Sequence, residues 1–174
     1  MTLLLSFGLC GVLFLLYRKD SLFKSRKRYP RFVEKVKNRG WLQSTWICGL
    51  LHFLINAILF TITGVVLFFV TVYLTVPYLH IIIMVIAVLA SFYIWGIIRD
   101  LGPRIRTGRL LSGLIGSSFY CLVTLYFLYR YLTLEPMFPG DDMFMAAVGL
   151  FFGMSVTVTA FFCSFIVTSW VPKK

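Results

Sequence analysis

Leu51–Leu74 reads LHFLINAILFTITGVVLFFVTVYL, with no Asp, Glu, Lys or Arg in it. At a helical rise of about 1.5 Å per residue, the run is long enough to cross the ~30 Å hydrocarbon core of a bilayer. Its apolar residues are continuous, whereas a membrane β-strand alternates polar and apolar positions over roughly ten residues. Inside a bilayer every backbone N–H and C=O needs an internal partner, so the run is read as a transmembrane helix. The whole chain has the same character, with 60% hydrophobic and 13% charged residues and a mean hydropathy of +0.91. A chain of 20.0 kDa has too small a core to hide that much apolar surface from water.

Outward from Leu51–Leu74, the apolar stretch runs from Trp41 to Ile98, too long for one span. Pro77 divides it, with Thr75, Tyr78 and His80 making the junction less apolar. A proline pushes the residue before it out of the α region, so a hairpin is expected near Val76, between helices over about Ser44–Leu74 and Leu79–Ile98. The first of these exceeds the bilayer core and should tilt or protrude. Trp41, Trp46 and Trp95 then fall near one interface, where aromatic belts sit. RDLGPRIRTGR, residues 99–109, reads as a loop, and a helix follows over about Leu110–Leu132. TLEPMFPGDD, residues 133–142, is an acidic loop with turn chemistry at Pro139-Gly140. Asp141 or Asp142 is placed to cap a last helix that runs to about Val171.

Met1–Tyr17 is apolar up to Arg18 and Lys19, with no basic leader and no small-residue cleavage site, so an uncleaved anchor with its N-terminus outside is expected. An interfacial or re-entrant helix is the alternative. Arg18–Gly40 is the main polar segment. Within it Tyr29, Phe32, Val33 and Val36 share one helical face behind Pro30, the pattern of a short amphipathic helix lying among headgroups. The expected architecture is therefore an all-α, polytopic transmembrane bundle of about five spans, or four if the first segment does not cross. Its parts are an anchor (1–17), a basic arm (18–40) and a four-helix bundle (41–174).

The net charge is +11, and its distribution carries the topology. Ten of the 17 Lys and Arg lie between Arg18 and Arg39, and four more between Arg99 and Arg109. In a soluble protein such clusters would suggest nucleic acid; in a polytopic one they mark cytoplasmic flanks. Both basic loops and the Lys173-Lys174 tail fall on one side in a five-span topology, and the acidic 133–142 loop falls on the other. The C-terminus is thus expected in the cytosol, and no nucleic-acid partner is expected. Arg26, Lys27, Arg28 and Arg31, with Arg104, Arg106 and Arg109, are candidates to grip anionic lipid headgroups. An endomembrane address, the endoplasmic reticulum, is favoured over the plasma membrane, although the two lysines stand closer to the end than in a dilysine retrieval signal.

Chemistry is sparse. A charge deep in a span is the usual pointer to an ion path or active site, and the expected spans 44–74, 79–98, 110–132 and 143–171 hold only Arg130, near a helix end where it can snorkel or pair with Glu135. Glu135, Asp141 and Asp142 read as cap and loop carboxylates rather than a cation site. His52 and Asn56 are the polar intramembrane candidates; four residues apart, they share one helix face. An imidazole at that depth suits proton transfer, metal ligation or headgroup binding, but one histidine and one amide without a carboxylate make a poor metal site. The simpler reading is an interhelical hydrogen bond. Cys10, Cys48, Cys121 and Cys163 occupy four separate apolar segments without metal spacing and read as small buried hydrophobes. No serine-hydrolase elbow, zinc-protease or phosphate-loop motif is present. No catalytic residue, metal or cofactor is expected.

The strongest pattern is one of packing. Ala146, Gly149, Gly153, Thr157, Ala160, Ser164 and Thr168 trace one face of the last helix in steps of three and four. Small residues let helices approach closely where lipid supplies no hydrophobic drive. Gly113, Ser117, Cys121 and Thr124 form a shorter version on the preceding helix. The neighbour of the long stripe is either that helix or another subunit. The leading functional expectation is a non-enzymatic multi-pass subunit that assembles with, stabilises or regulates a larger membrane complex, in contact with membrane lipids and other membrane proteins. The alternatives are a small lipid-handling enzyme or lipid transporter using His52 and Asn56, and a channel-like oligomer.

Overall fold

The computed structural model describes residues 43–74, 77–136 and 143–169. These residues form four helices and, among them, no strand. Helix α1 (Thr45–Phe69) continues through one π-helical turn, Val70–Leu74. It is followed by α2 (Pro77–Leu101), α3 (Arg106–Leu132) and α4 (Met143–Ser169). All four are long and apolar enough to cross a membrane, so the chain is an all-α multi-pass membrane protein. The expected anchor 1–17, the arm 18–40 and the capping pair Asp141–Asp142 lie outside the described residues.

Helix α2 starts at Pro77, a position whose missing N–H costs a helix nothing. The expected loop 99–109 is corrected to a short turn. Helix α2 runs through Arg99 and Asp100 to Leu101, and α3 already starts at Arg106. Pro103 provides the break, because it bars its predecessor from continuing the helix. Gly102 N–H still closes the last turn on Ile98 O at 2.9 Å. Asp100, placed in a loop by sequence, is therefore helical and paired with Arg99 at 2.9 Å.

Helix α3 is the hub, packing most extensively on α4 and then on α1, while α2 lies more lightly against α1 and α4. Small residues permit this: a Cβ on Gly49 would stand 2.9 Å from Ile115 Cβ, and one on Gly113 would stand 3.0 Å from Thr168 Oγ1. Most of the buried positions gather at the end carrying Arg99–Arg109, here called the basic end. They include Cys48 and Asn56 on α1, Trp95 and Ile98 on α2, Gly113 and Tyr120 on α3, and Cys163 and Val167 on α4. Trp95, Tyr120, Cys163 and Val167 form the apolar core, with the Trp95 and Tyr120 rings edge to face at 6.3 Å. Toward the far end the helices present Phe68, Tyr78, Leu122 and Phe144 outward, as lipid-facing surface requires.

The expected small-residue row on α3 is corrected by its pitch. Cys121 is exposed, whereas Gly113, Gly116, Ser117 and Tyr120 are buried and Thr124 is half-buried. At 3.6 residues per turn, two steps of four rotate the face by about 80°, while seven residues from Gly113 to Tyr120 return to within about 20°. Of the cysteines among the described residues, Cys48 and Cys163 are buried hydrophobes and Cys121 is not.

Candidate functional site

Hydroxyls in these apolar helices are mostly self-satisfied. Thr63, Ser91, Ser155 and Thr159 each donate to the carbonyl four residues back at 2.8–2.9 Å. Imidazole, amide and indole groups lack that local option and must find partners on other helices. The deepest polar groups accordingly converge at the basic half of the bundle, where close helix approach brings them within reach.

Asn56 is wholly buried and bonds at both ends of its amide. Its Nδ2 donates to Gly116 O on α3 at 3.0 Å, and its Oδ1 accepts from Trp95 Nε1 on α2 at 2.8 Å. One turn toward the basic end, His52 is 1% exposed, with Nε2 at 3.0 Å from Ser164 Oγ on α4. Two residues of α1 thereby tie it to each of the other three helices. Gly116 makes the arrangement possible, since a Cβ there would overlap the His52 imidazole. Among the described residues His52 Nδ1 has no hydrogen-bond partner. A bare buried acceptor is tolerated more readily than an orphaned N–H, so the geometry favours the Nε2–H tautomer, donating to Ser164 Oγ.

A serine hydroxyl 3.0 Å from an imidazole has the spacing of a nucleophile beside its base. Among the described residues no carboxylate bonds to either member of the pair. Asp100, the acidic residue within the described helices, lies beyond the cluster at the end of α2 and is paired with Arg99. Both members of the pair are sealed, with Ser164 at 0% exposure. Among the described residues no three His, Cys, Asp or Glu side chains gather as metal ligands. What the cluster does physically is cross-link four helices in a medium where unpaired polar groups are costly.

The remaining sequence candidates divide by location. On α4, Thr157 is buried and meets Thr124 Oγ1 at 2.7 Å, Ala160 packs on the Trp95–Tyr120 core, and Ser164 and Thr168 are buried. Gly153 sits against the Phe127 ring, its Cβ position 3.0 Å from Cε2. Ala146 and Gly149 are exposed, and among the described residues nothing stands within 4 Å of a Cβ at Gly149. Arg104 and Arg106 are exposed beside the 102–105 turn, while half-buried Arg109 donates from Nε to Pro103 O at 2.7 Å. Arg26, Lys27, Arg28 and Arg31 lie outside the described residues. Arg130 is exposed in the last turn of α3, and among the described residues no ion pair joins it to Glu135.

Two members of the cluster escaped the sequence reading. Its position in sequence suggests an interfacial belt for Trp95, whereas its ring is buried inside the bundle, 3% exposed. The available signal was its N–H, which needs an acceptor when buried, together with Asn56, the single amide within the apolar spans. Gly116 sits beside the Gly113–Ser117 pair of the small-residue row, and only the helix pitch distinguishes it. Compared with known protein families, curated proteins and solved structures, the chain matches none.

Proposed function

We propose that this protein is a non-enzymatic multi-pass subunit that assembles with, and stabilises or regulates, a larger membrane protein complex. One observation carries the reading: the small-residue face of α4 is divided. From Gly153 to Thr168 the chain's own helices occupy it, whereas Ala146 and Gly149 continue the same face, and among the described residues nothing stands within 4 Å of a Cβ at Gly149. A glycine facing lipid contributes little packing, but it suits the close approach of another membrane helix. Consumption of His52, Asn56, Trp95 and Ser164 in ties between helices supports a structural use of the polar groups over catalysis. In this reading the basic end faces the cytosol, by the charge asymmetry of its flanks.

The test compares protein isolated from its native membrane with and without Gly149→Leu. Added bulk on an open face should leave the fold and thermal stability of the isolated chain unchanged. Wild type should migrate on a native gel with a stoichiometric partner, and Gly149→Leu should migrate alone. Wild type running without a partner, or a variant that retains it, overturns the proposal.

A further inference from the structure

The 102–105 turn does more than join two helices: it forms one wall of a groove. Together with the start of α1 it borders a half-open groove of about 290 Å³, lined among others by Gln43, Thr45, Arg104, Thr107, Gly108 and Leu111. Gly108 lets the two walls meet, with its Cβ position 2.9 Å from Thr45 Oγ1. Arg109 braces the turn by donating to Pro103 O at 2.7 Å. The groove sits where α1 and α3 both begin, beside the basic ends of α2 and α4, at the level where a spanning bundle meets headgroups.

Its charge is one-sided. Residues 102–111 carry Arg104, Arg106 and Arg109 and no acidic residue, and nearby Asp100 is paired with Arg99. Arg104 is exposed at the groove, and Gln43, Thr45 and Thr107 supply neutral hydrogen-bonding side chains. Ile105 fills the cap position of α3 without a side-chain hydrogen bond, so the first-turn N–H groups beside the groove are not met by a cap. The lining is mainly apolar: Pro103, Ile105 and Leu111 contribute to it, with Ile105 74% exposed and Leu111 49% exposed, the latter more than a turn inside α3. A free phosphate ion would use only the cationic rim. A phospholipid also covers the apolar wall, with its glycerol and first methylenes directed toward the span.

We propose that this groove is a binding site for an anionic phospholipid, with Arg104 as the cation facing its phosphate and Gln43, Thr45 and Thr107 as hydrogen-bonding partners. Guanidinium suits the role because its fork matches two phosphate oxygens at once. The site is separate from the Ala146–Gly149 face and does not depend on what docks there.

The probe is phosphatidic acid carrying a photoreactive group close to its headgroup, dispersed in phosphatidylcholine nanodiscs that hold the full chain. Crosslinked peptides are then mapped by mass spectrometry. Adducts are expected on the segment that includes Arg104–Leu111 and on the one that includes Gln43–Thr45. Arg104→Gln should lower the yield there by about five-fold, the worth of one basic residue at a membrane surface. Thr107→Glu, which places a carboxylate in the groove, should do the same or more. Arg130→Gln, an exposed arginine at the opposite end of α3, should leave the yield unchanged, and all three variants should keep the wild-type circular dichroism spectrum. Equal labelling in wild type, Arg104→Gln and Thr107→Glu overturns the site. Equal labelling by a phosphatidylcholine probe overturns its anionic selectivity, and displacement by inorganic phosphate overturns the lipid assignment.

Discussion

Gly116→Ala is the substitution the bundle should tolerate least for its size. A Cβ at residue 116 stands 2.6 Å from His52 Cβ and overlaps the imidazole. His52 is almost fully enclosed and held by Ser164, so rotating the ring does not relieve the clash; α1 and α3 must separate. Overpacking of this kind costs about 1–3 kcal/mol. Separation also loosens the His52–Ser164 and Asn56–Gly116 bonds, each worth about 0.6 kcal/mol between membrane helices. Alanine returns about 1 kcal/mol through its better helix propensity. The net expectation is a loss of about 2 kcal/mol. Gly64→Ala and Gly149→Ala are the controls, because among the described residues nothing lies within 4 Å of a Cβ at either position. In the isolated chain they carry only the propensity gain and should be neutral or stabilising by up to about 1 kcal/mol. Reversible unfolding in mixed micelles, titrated with dodecyl sulfate and followed by circular dichroism, reads all three. If Gly116→Ala is as stable as the controls, the close α1–α3 approach at His52 is wrong.

The polar cluster separates two uses of His52. Glutamine keeps a donor and an acceptor but does not titrate near neutral pH, so His52→Gln should stay within about 0.5 kcal/mol of wild type and retain its partner, while His52→Leu should lose about 1 kcal/mol. Partner migration and cellular function preserved in glutamine support the structural role; a folded, assembled His52→Gln protein without function would move the histidine to an active site. The cysteines supply a further contrast. Cys121→Leu on the exposed surface should change stability by less than about 0.5 kcal/mol, whereas Cys163→Leu in the Trp95–Tyr120 core should cost about 1–3 kcal/mol; equal effects in the same unfolding titration would contradict the placement of α3.

Much of the architecture was legible because membrane spans are written locally. Twenty or so continuous apolar residues, a proline at position 77 and a charged break near Pro103 are properties of neighbouring residues, and they locate four helices without any knowledge of packing. The local pattern overextends the 99–109 loop, because charged residues look non-helical beside apolar spans. Arg99, Asp100, Arg106 and Arg109 are helical all the same, since only Gly102–Pro103 obstructs the backbone. His52 and Asn56 stood out as isolated polar residues in an apolar helix, a contrast visible in one dimension.

Composition, apolar run length and charge placement determined by themselves that this chain lives in a bilayer as a helical bundle, because in hydrocarbon each helix must satisfy its own backbone. Which faces meet is set by the packing of the folded bundle. Helix pitch sends Cys121 outward and Tyr120 inward, although both lie on plausible small-residue steps from Gly113. The packing also sets that Asn56 joins Trp95 and Gly116, that His52 reaches Ser164, and that the other helices cover the α4 stripe from Gly153 onward but, among the described residues, not Gly149. Those pairings depend on the relative rotation and depth of helices far apart in sequence. Ridge-and-groove packing sets both, and no single helix encodes them.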